Sequence, residues 1–256
     1  STLDVLEALP TSQLRLDLDA LVAAANRWRL ELKRHQALMR ALAQEEARLQ
    51  PLQGRERSAS ADAPRHATLA VGHRSRPLRL ERWIPQSPRS DQTWVLMMPG
   101  LGGDPNHFHW LARSLMQAGW PVLVLEHPGS DAAAVQGLLE GRQSFDGAAA
   151  LRDRLADLAA VLEAQQRGDL NIPGTEVVLM GHSLGALTAL LASGAELVPG
   201  MAQRCEAALA GLPLTNLSEL LQCELAAGRV LESKAMDPPP RAVVGLNSFG
   251  GVIWPH

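Results

Sequence analysis

The chain has 256 residues, is 46% hydrophobic and 20% charged, and carries a formal net charge of -3. That is chain enough for one large domain or two small ones and apolar enough for a real core, which excludes wholesale disorder, a collagen-like fibre and a disulfide scaffold. A pI near 6.2 with charges of both signs gives no global field for gripping phosphate backbones or anionic lipid, so nucleic-acid and membrane-surface partners are disfavoured.

The first residue is Ser1, and the apolar run Leu3 to Leu9 is interrupted by Asp4 and Glu7, so it is no signal-peptide core. We expect sequence upstream. No run of about 18 uncharged apolar residues occurs, which excludes an integral membrane helix. From Leu14 through Leu18, Leu21, Ala25, Trp28 and Leu32 to Met39, Leu42 and Leu49, apolar positions alternate by fours and threes. This predicts a long N-terminal amphipathic helix with a coiled-coil-like seam. His35 and Glu46 interrupt the seam, so docking on the protein's own body is expected ahead of a homodimer zipper. The face with Arg27, Arg29, Lys33 and Arg34 is expected to be solvated. We assign 1–50 to this helical segment and 51–65, polar and free of periodicity, to a linker.

The remaining 66–256 changes character. Leu78 to Ile84 alternates as an outer strand does. Trp94 to Met98, Val122 to Leu125, Val177 to Met180 and Val243 to Leu246 are near-continuous apolar runs, the pattern of strands buried on both faces. Helical segments lie between them at Phe108 to Ala118 and at Ala148 to Arg167, the latter with Leu151, Leu155, Leu158 and Leu162 on one stripe. Alternation of strand and helix means crossovers, hence a mostly parallel sheet with helices on both faces. The segment 201–240 breaks the rhythm with leucines such as Leu209, Leu212, Leu214 and Leu221 and closes on Pro238 to Pro240. It reads as a helical insertion, either ordinary packing or a cap over a site. Cys205 and Cys223 are too few for a metal cage and are expected as two buried small hydrophobes. Their scarcity favours a reducing, cytoplasmic compartment, which otherwise stays open.

One motif carries chemistry: Gly181-His182-Ser183-Leu184-Gly185, directly after the strand at Val177 to Met180 and before the apolar run Ala186 to Ala192. In that context Gly-x-Ser-x-Gly is a nucleophile elbow. The turn presses neighbouring chain close, and Gly181 and Gly185 remove the side chains that would collide. The Ser183 hydroxyl then points from the carboxyl edge of the sheet, above the positive end of the following helix. A second loop, Pro99-Gly100-Leu101-Gly102-Gly103-Asp104, ends the strand at Trp94 to Met98. Acyl transfer needs two N–H donors aimed at the developing oxyanion, and Leu101 and Leu184 supply the candidates. A phosphate loop is excluded because no Lys-Ser/Thr follows the glycines and Pro105 stands where a dinucleotide motif needs glycine. No metal-ligand set or cofactor box occurs, so no metal or cofactor is expected.

Pro99 to Gly103, Glu126-His127-Pro128-Gly129-Ser130-Asp131 and Gly181 to Gly185, in this order and spacing, resemble the α/β-hydrolase superfamily. Within it they are most similar to the dienelactone-hydrolase-related and platelet-activating-factor-acetylhydrolase-like branch, including cyanobacterial-type predicted hydrolases. The resemblance covers roughly Arg79 to Trp254. Pro99 stands where the branch has histidine, and Ser183 where true dienelactone hydrolases have cysteine. It implies an α/β-hydrolase fold and a serine hydrolase cleaving short-chain or lipid-like carboxylic esters through an acyl-serine intermediate. In that family the acid and base follow the nucleophile in the order Asp or Glu, then His. The strand at Ala242 to Leu246 is only the sixth, and Asn247-Ser248-Phe249-Gly250 after it holds no carboxylate. We therefore expect a fold incomplete at the C-terminus, with the catalytic Asp and His beyond His256. His107, His109, His127, His182 and His256 are each disfavoured as the base. Two alternatives stay open: an inactive hydrolase-fold binding or scaffold protein, and an acyltransferase.

Overall fold

A computed structural model describes residues 18–46, 63–196, 198–210, 217–226, 235–248 and 250–254. Most of the expected linker, the seam positions Leu14 and Leu49, the insertion leucines Leu212 and Leu214, and His256 lie outside the described residues. The chain divides into two units. The first contains helix α1, Leu18–Glu46, 29 residues long. No helix among the described residues is long and apolar enough to cross a membrane.

The second unit is built on six strands: β1 Arg65–Leu69, β2 Leu78–Trp83, β3 Thr93–Met98, β4 Val122–Glu126, β5 Glu176–His182 and β6 Ala242–Leu246. They form one sheet in the order β1-β2-β4-β3-β5-β6. β4, β3, β5 and β6 run parallel, while β1 and β2 are antiparallel to their neighbours. All six residues of β3 are buried, as suits a strand covered on both faces. Its side chains alternate between two cores. Trp94, Leu96 and Met98 join Leu123, Leu125 and Leu179 on one face, and Val95 and Met97 join Val122, Val124 and Val178 on the other.

Six helices of this unit are described: α2 His109–Gln117, α3 Ala132–Leu139, α4 Gly147–Gln166, α5 Leu184–Ala192, α6 Met201–Leu209 and α7 Leu217–Ala226. Leu158, Val161 and Ala164 of α4 and Ala189 and Ala192 of α5 fill the first face. Ala112 and Met116 of α2 fill the second. The result is a mixed α/β sheet with helices on both sides. Acidic caps set the helix starts: Asp131 accepts the Ala134 N–H at 2.8 Å and Asp146 accepts the Ala149 N–H at 2.9 Å.

Three expectations change. Leu78 to Ile84 is not the outermost strand, because β1 pairs outside β2; the polar run Arg65-His66-Ala67-Thr68 carries too little apolar alternation to announce a strand. β6 is half-exposed rather than buried on both faces, as an edge position in the sheet dictates. Cys205 and Cys223 are not separate buried thiols. They form a disulfide joining α6 to α7. Disulfides persist in oxidising compartments, so cysteine usage no longer favours a cytoplasmic setting.

Candidate active site

β5 delivers the chain to a turn at Ser183 that only a tight backbone can make. Ser183 has φ 52° and ψ -116°, in the left-handed region that an L residue avoids at a cost of about 1–3 kcal/mol. The turn is braced from both sides. The Ser183 N–H donates to the Leu246 carbonyl of β6 at 3.0 Å, and the Ser183 carbonyl accepts from Ala186 and Leu187 at 3.0 and 3.1 Å. A Cβ at Gly181 would overlap the Gly185 carbonyl, and one at Gly185 would overlap the Met98 carbonyl and lie 2.9 Å from the Pro99 oxygen. These two positions therefore admit glycine only. α5, starting at Leu184, has eight of its nine residues buried, so the helix end under Ser183 is fixed in the core.

The loop after β3 lies against this turn. A Cβ at Gly100 would be 3.0 Å from the Ser183 Cβ, so the two segments touch at the serine itself. The Gly103 N–H donates to the Gly100 carbonyl at 3.1 Å and the Gly102 N–H to the Ser130 carbonyl at 2.8 Å. The first bond orients the peptide plane that carries the Leu101 N–H. The side chains of Leu101 and Leu184 meet in one apolar cluster with Leu151, Leu187 and Ile253, and with Met201 of α6 and Leu221 of α7. The helical insertion thus packs where the candidate donors are.

Among the described histidines, His66, His107, His109 and His127 have polar partners other than Ser183. His107 Nδ1 accepts the Asp104 N–H at 3.5 Å in the cap of a 3-10 turn, Pro105–Phe108, and His109 bonds Glu81 at 2.7 Å. His66 faces Glu81 at 3.8 Å. His182 is exposed. His127, at the end of β4, is buried against Asp157 of α4, donating from Nδ1 at 2.9 Å, while its buried Nε2 has no partner among the described residues. β4 is separated from β5 by β3.

Asp157 is the centre of a buried polar cluster that the sequence did not disclose. It also accepts from His73 at 2.7 Å and from Arg74 at 2.9 and 2.7 Å, and Arg74 reaches on to Asp153 at 2.9 Å. Burial alone would raise the Asp157 carboxyl, but hydrogen bonds from His127, Arg74 and His73 outweigh it and hold the group below the usual carboxylate range. Burial, with the nearby Arg154 cation, pushes His127 down from 6.5 to about 3. The neutral imidazole is thus the folded form. The unfolded chain binds a proton at His127 below its ordinary value, so this stability is complete above pH 6.5 and is lost as pH falls towards about 3. The expected slope is at most about 1.4 kcal/mol per pH unit. Urea unfolding at a series of pH values should show it, and His127→Gln should flatten the curve between pH 6.5 and 4. Parallel curves for the two proteins would remove His127 as the cause.

A cavity of about 800 Å³ lined by Trp94, Glu176, Met236, Pro238 and Arg241 opens at the amino-terminal edge of β3 and β5, opposite the edge that carries Ser183. A smaller one of about 330 Å³ lies among His66, Arg79, Glu81 and Glu126.

The chain matches no family model, and it matches no curated protein. Among solved structures it is similar to esterase 2 of Thermogutta terrifontis with butyrate bound, at 15% identity and a TM-score of 0.41 over 73% of this chain and 54% of that one. A ferulic acid esterase from Streptomyces cinnamoneus is 18% identical with a TM-score of 0.37, covering 50% of this chain and 54% of the other. Est1E from Butyrivibrio proteoclasticus is 16% identical with a TM-score of 0.37, covering 50% and 44%. The chain spans about half the length of these structures.

Proposed function

We propose that this protein is a serine hydrolase acting on carboxylic esters, with Ser183 as nucleophile and the N–H groups of Leu101 and Leu184 as oxyanion donors. The observation that carries the reading is the backbone of Ser183: a strained φ of 52° at the junction of a strand and a buried helix, against the loop after β3. Strain of this kind persists where the surrounding structure over-determines it, and here it serves to lift one hydroxyl out of the sheet edge. The strand order, with two antiparallel strands leading into a parallel sheet, supports an α/β-hydrolase fold.

In the proposed reaction Ser183 Oγ attacks the acyl carbonyl carbon and its proton passes to a base. The carbonyl oxygen becomes negative and is held by the two N–H groups. The alcohol leaves with a proton, and water then releases the acid from the acyl-serine. The base is a histidine outside the cluster that Asp157 organises. The insertion containing α6 and α7 acts as a cap, since Met201 and Leu221 share a cluster with Leu101 and Leu184 and present apolar surface suited to an acyl chain.

A fluorophosphonate tests this reading, because it reacts far faster with a serine whose hydroxyl is activated beside an oxyanion hole than with an ordinary hydroxyl. The full-length protein should be labelled, with the adduct mapped to Ser183; a protein unlabelled there overturns the reading. A second reading, a binding protein built on a hydrolase fold, is favoured by one observation: the His127–Asp157 pair is directed into a structural cluster and not to Ser183.

A further inference from the structure

Arg154 is among the largest fully buried side chains, only 1% exposed, and it stands on the apolar stripe of α4 between Leu151 and Leu158. Burying a guanidinium costs free energy unless its donors are used, and an apolar side chain of the same volume would fill the space. All three nitrogens of Arg154 are used. Nε donates to Thr188 Oγ1 at 3.2 Å, Nη1 to Ser130 Oγ at 2.8 Å, and Nη2 to the Pro99 carbonyl.

Each acceptor lies one step from the proposed oxyanion site. The Pro99 carbonyl belongs to the peptide immediately before the Gly100–Leu101 peptide. Ser130 carries, on its backbone carbonyl, the bond from the Gly102 N–H. The Thr188 hydroxyl in turn donates a hydrogen bond to the Leu184 carbonyl at 2.8 Å, at the first residue of α5. One planar group therefore spans the loop after β3, the turn after β4 and the helix after Ser183. A lysine, with a single donor atom, does not span three such acceptors. Burial draws the Arg154 guanidinium down to about 9, with Asp157 opposing and Arg74 adding to the shift, so it remains cationic at neutral pH. A fixed positive charge at this place also favours negative charge developing on a bound oxygen.

We infer that Arg154 is a positioning residue that holds the Leu101 and Leu184 N–H groups on one reacting oxygen, gripping the loop through the Pro99 carbonyl and the helix through the Thr188 hydroxyl. The inference rests on the serine-hydrolase reading for its catalytic consequence, while its geometric content stands separately.

The test uses the full-length protein with Arg154→Met, Arg154→Lys and Thr188→Val, and reads kcat and KM on an activated short-chain ester, thermal unfolding, and amide hydrogen exchange. Arg154→Met should lower kcat by about 10²–10³-fold, the size of a lost oxyanion donor, with KM changed by less than about threefold. Exchange at Gly102 and Gly103 should quicken. Arg154→Lys should recover part of kcat. Thr188→Val, which keeps the shape and loses the hydroxyl, should lower kcat by about tenfold and quicken exchange at Ala186 and Leu187, with the unfolding temperature nearly unchanged. A rise in KM alone, or a fall in kcat that only follows the folded fraction, overturns the inference. If Arg154→Met does not fold, Thr188→Val decides by the same kcat and exchange criteria. If the wild type shows no ester turnover, the hydrolase reading fails by itself, and the exchange rates still decide: unchanged exchange at all four amides overturns the positioning role.

Discussion

Ser183→Ala is expected to abolish ester turnover by the full-length protein, lowering kcat by about 10⁴–10⁶-fold, the range seen when a triad nucleophile is removed. The loss is this large because the remaining donors can stabilise an oxyanion only if something attacks the carbonyl, and water is a far poorer nucleophile than a positioned alkoxide. Stability should move the other way or not at all. Alanine keeps the Cβ and therefore the cost of φ 52°, whereas Ser183→Gly relieves it. The glycine variant should be equally inactive and more stable by about 1 kcal/mol, within the range assigned to a residue held in a sparsely populated region. Turnover near the wild-type level in Ser183→Ala, measured with the same activated ester, would sink Ser183 as nucleophile. A stability gain in the glycine variant alone would leave the elbow as a structural relic.

The parts of this architecture that sequence discloses are those written in local pattern. Continuous apolar runs at Trp94 to Met98 and Val122 to Leu125 read as central strands because both faces of such strands meet core, and both are buried throughout those spans. The glycines at 181 and 185 read as a close approach of chain, and each faces backbone that a side chain would strike. What escapes is long-range. β1 is paired by register with β2 and carries almost no pattern of its own. The disulfide depends on α6 and α7 lying side by side, which two isolated cysteines 18 residues apart do not declare. The polar cluster brings together His73, His127 and Asp157 from a loop, a strand end and a helix. A separate buried charge did carry a sequence signal. Arg154 falls in the middle of the stripe that runs through Leu151, Leu158 and Leu162, where a helix directs side chains inward, and a charge at such a position must find partners.

Gly185→Ala should be, with Gly181→Ala, among the most damaging single methyls at the described glycines. Gly185 is the second residue of α5, and the added Cβ would overlap the Met98 carbonyl oxygen, lie 2.8 Å from the Met98 carbonyl carbon and 2.9 Å from the Pro99 oxygen. None of these atoms is the end of a flexible side chain, so rotamer changes give no relief. Either the first turn of α5 lifts away from β3 or the end of β3 bends. The first breaks the seal formed by Leu184 and Leu187 with Leu151. The second pulls the Pro99 carbonyl from Arg154 and with it the loop that carries Leu101. Ordinary overpacking costs about 1–3 kcal/mol because side chains share the adjustment. A backbone-to-backbone collision has no such sharing, so we expect a loss above about 4 kcal/mol, at the far end of single-substitution effects. Urea unfolding measures it, with Gly72→Ala as the comparison, since a Cβ there meets nothing within 4 Å. That control should be neutral or slightly stabilising through the unfolded chain. A Gly185→Ala protein within about 1 kcal/mol of wild type would mean that the helix and strand separate easily. In that case the two proposed N–H donors are not held in a fixed relation, and the oxyanion site loses its physical basis.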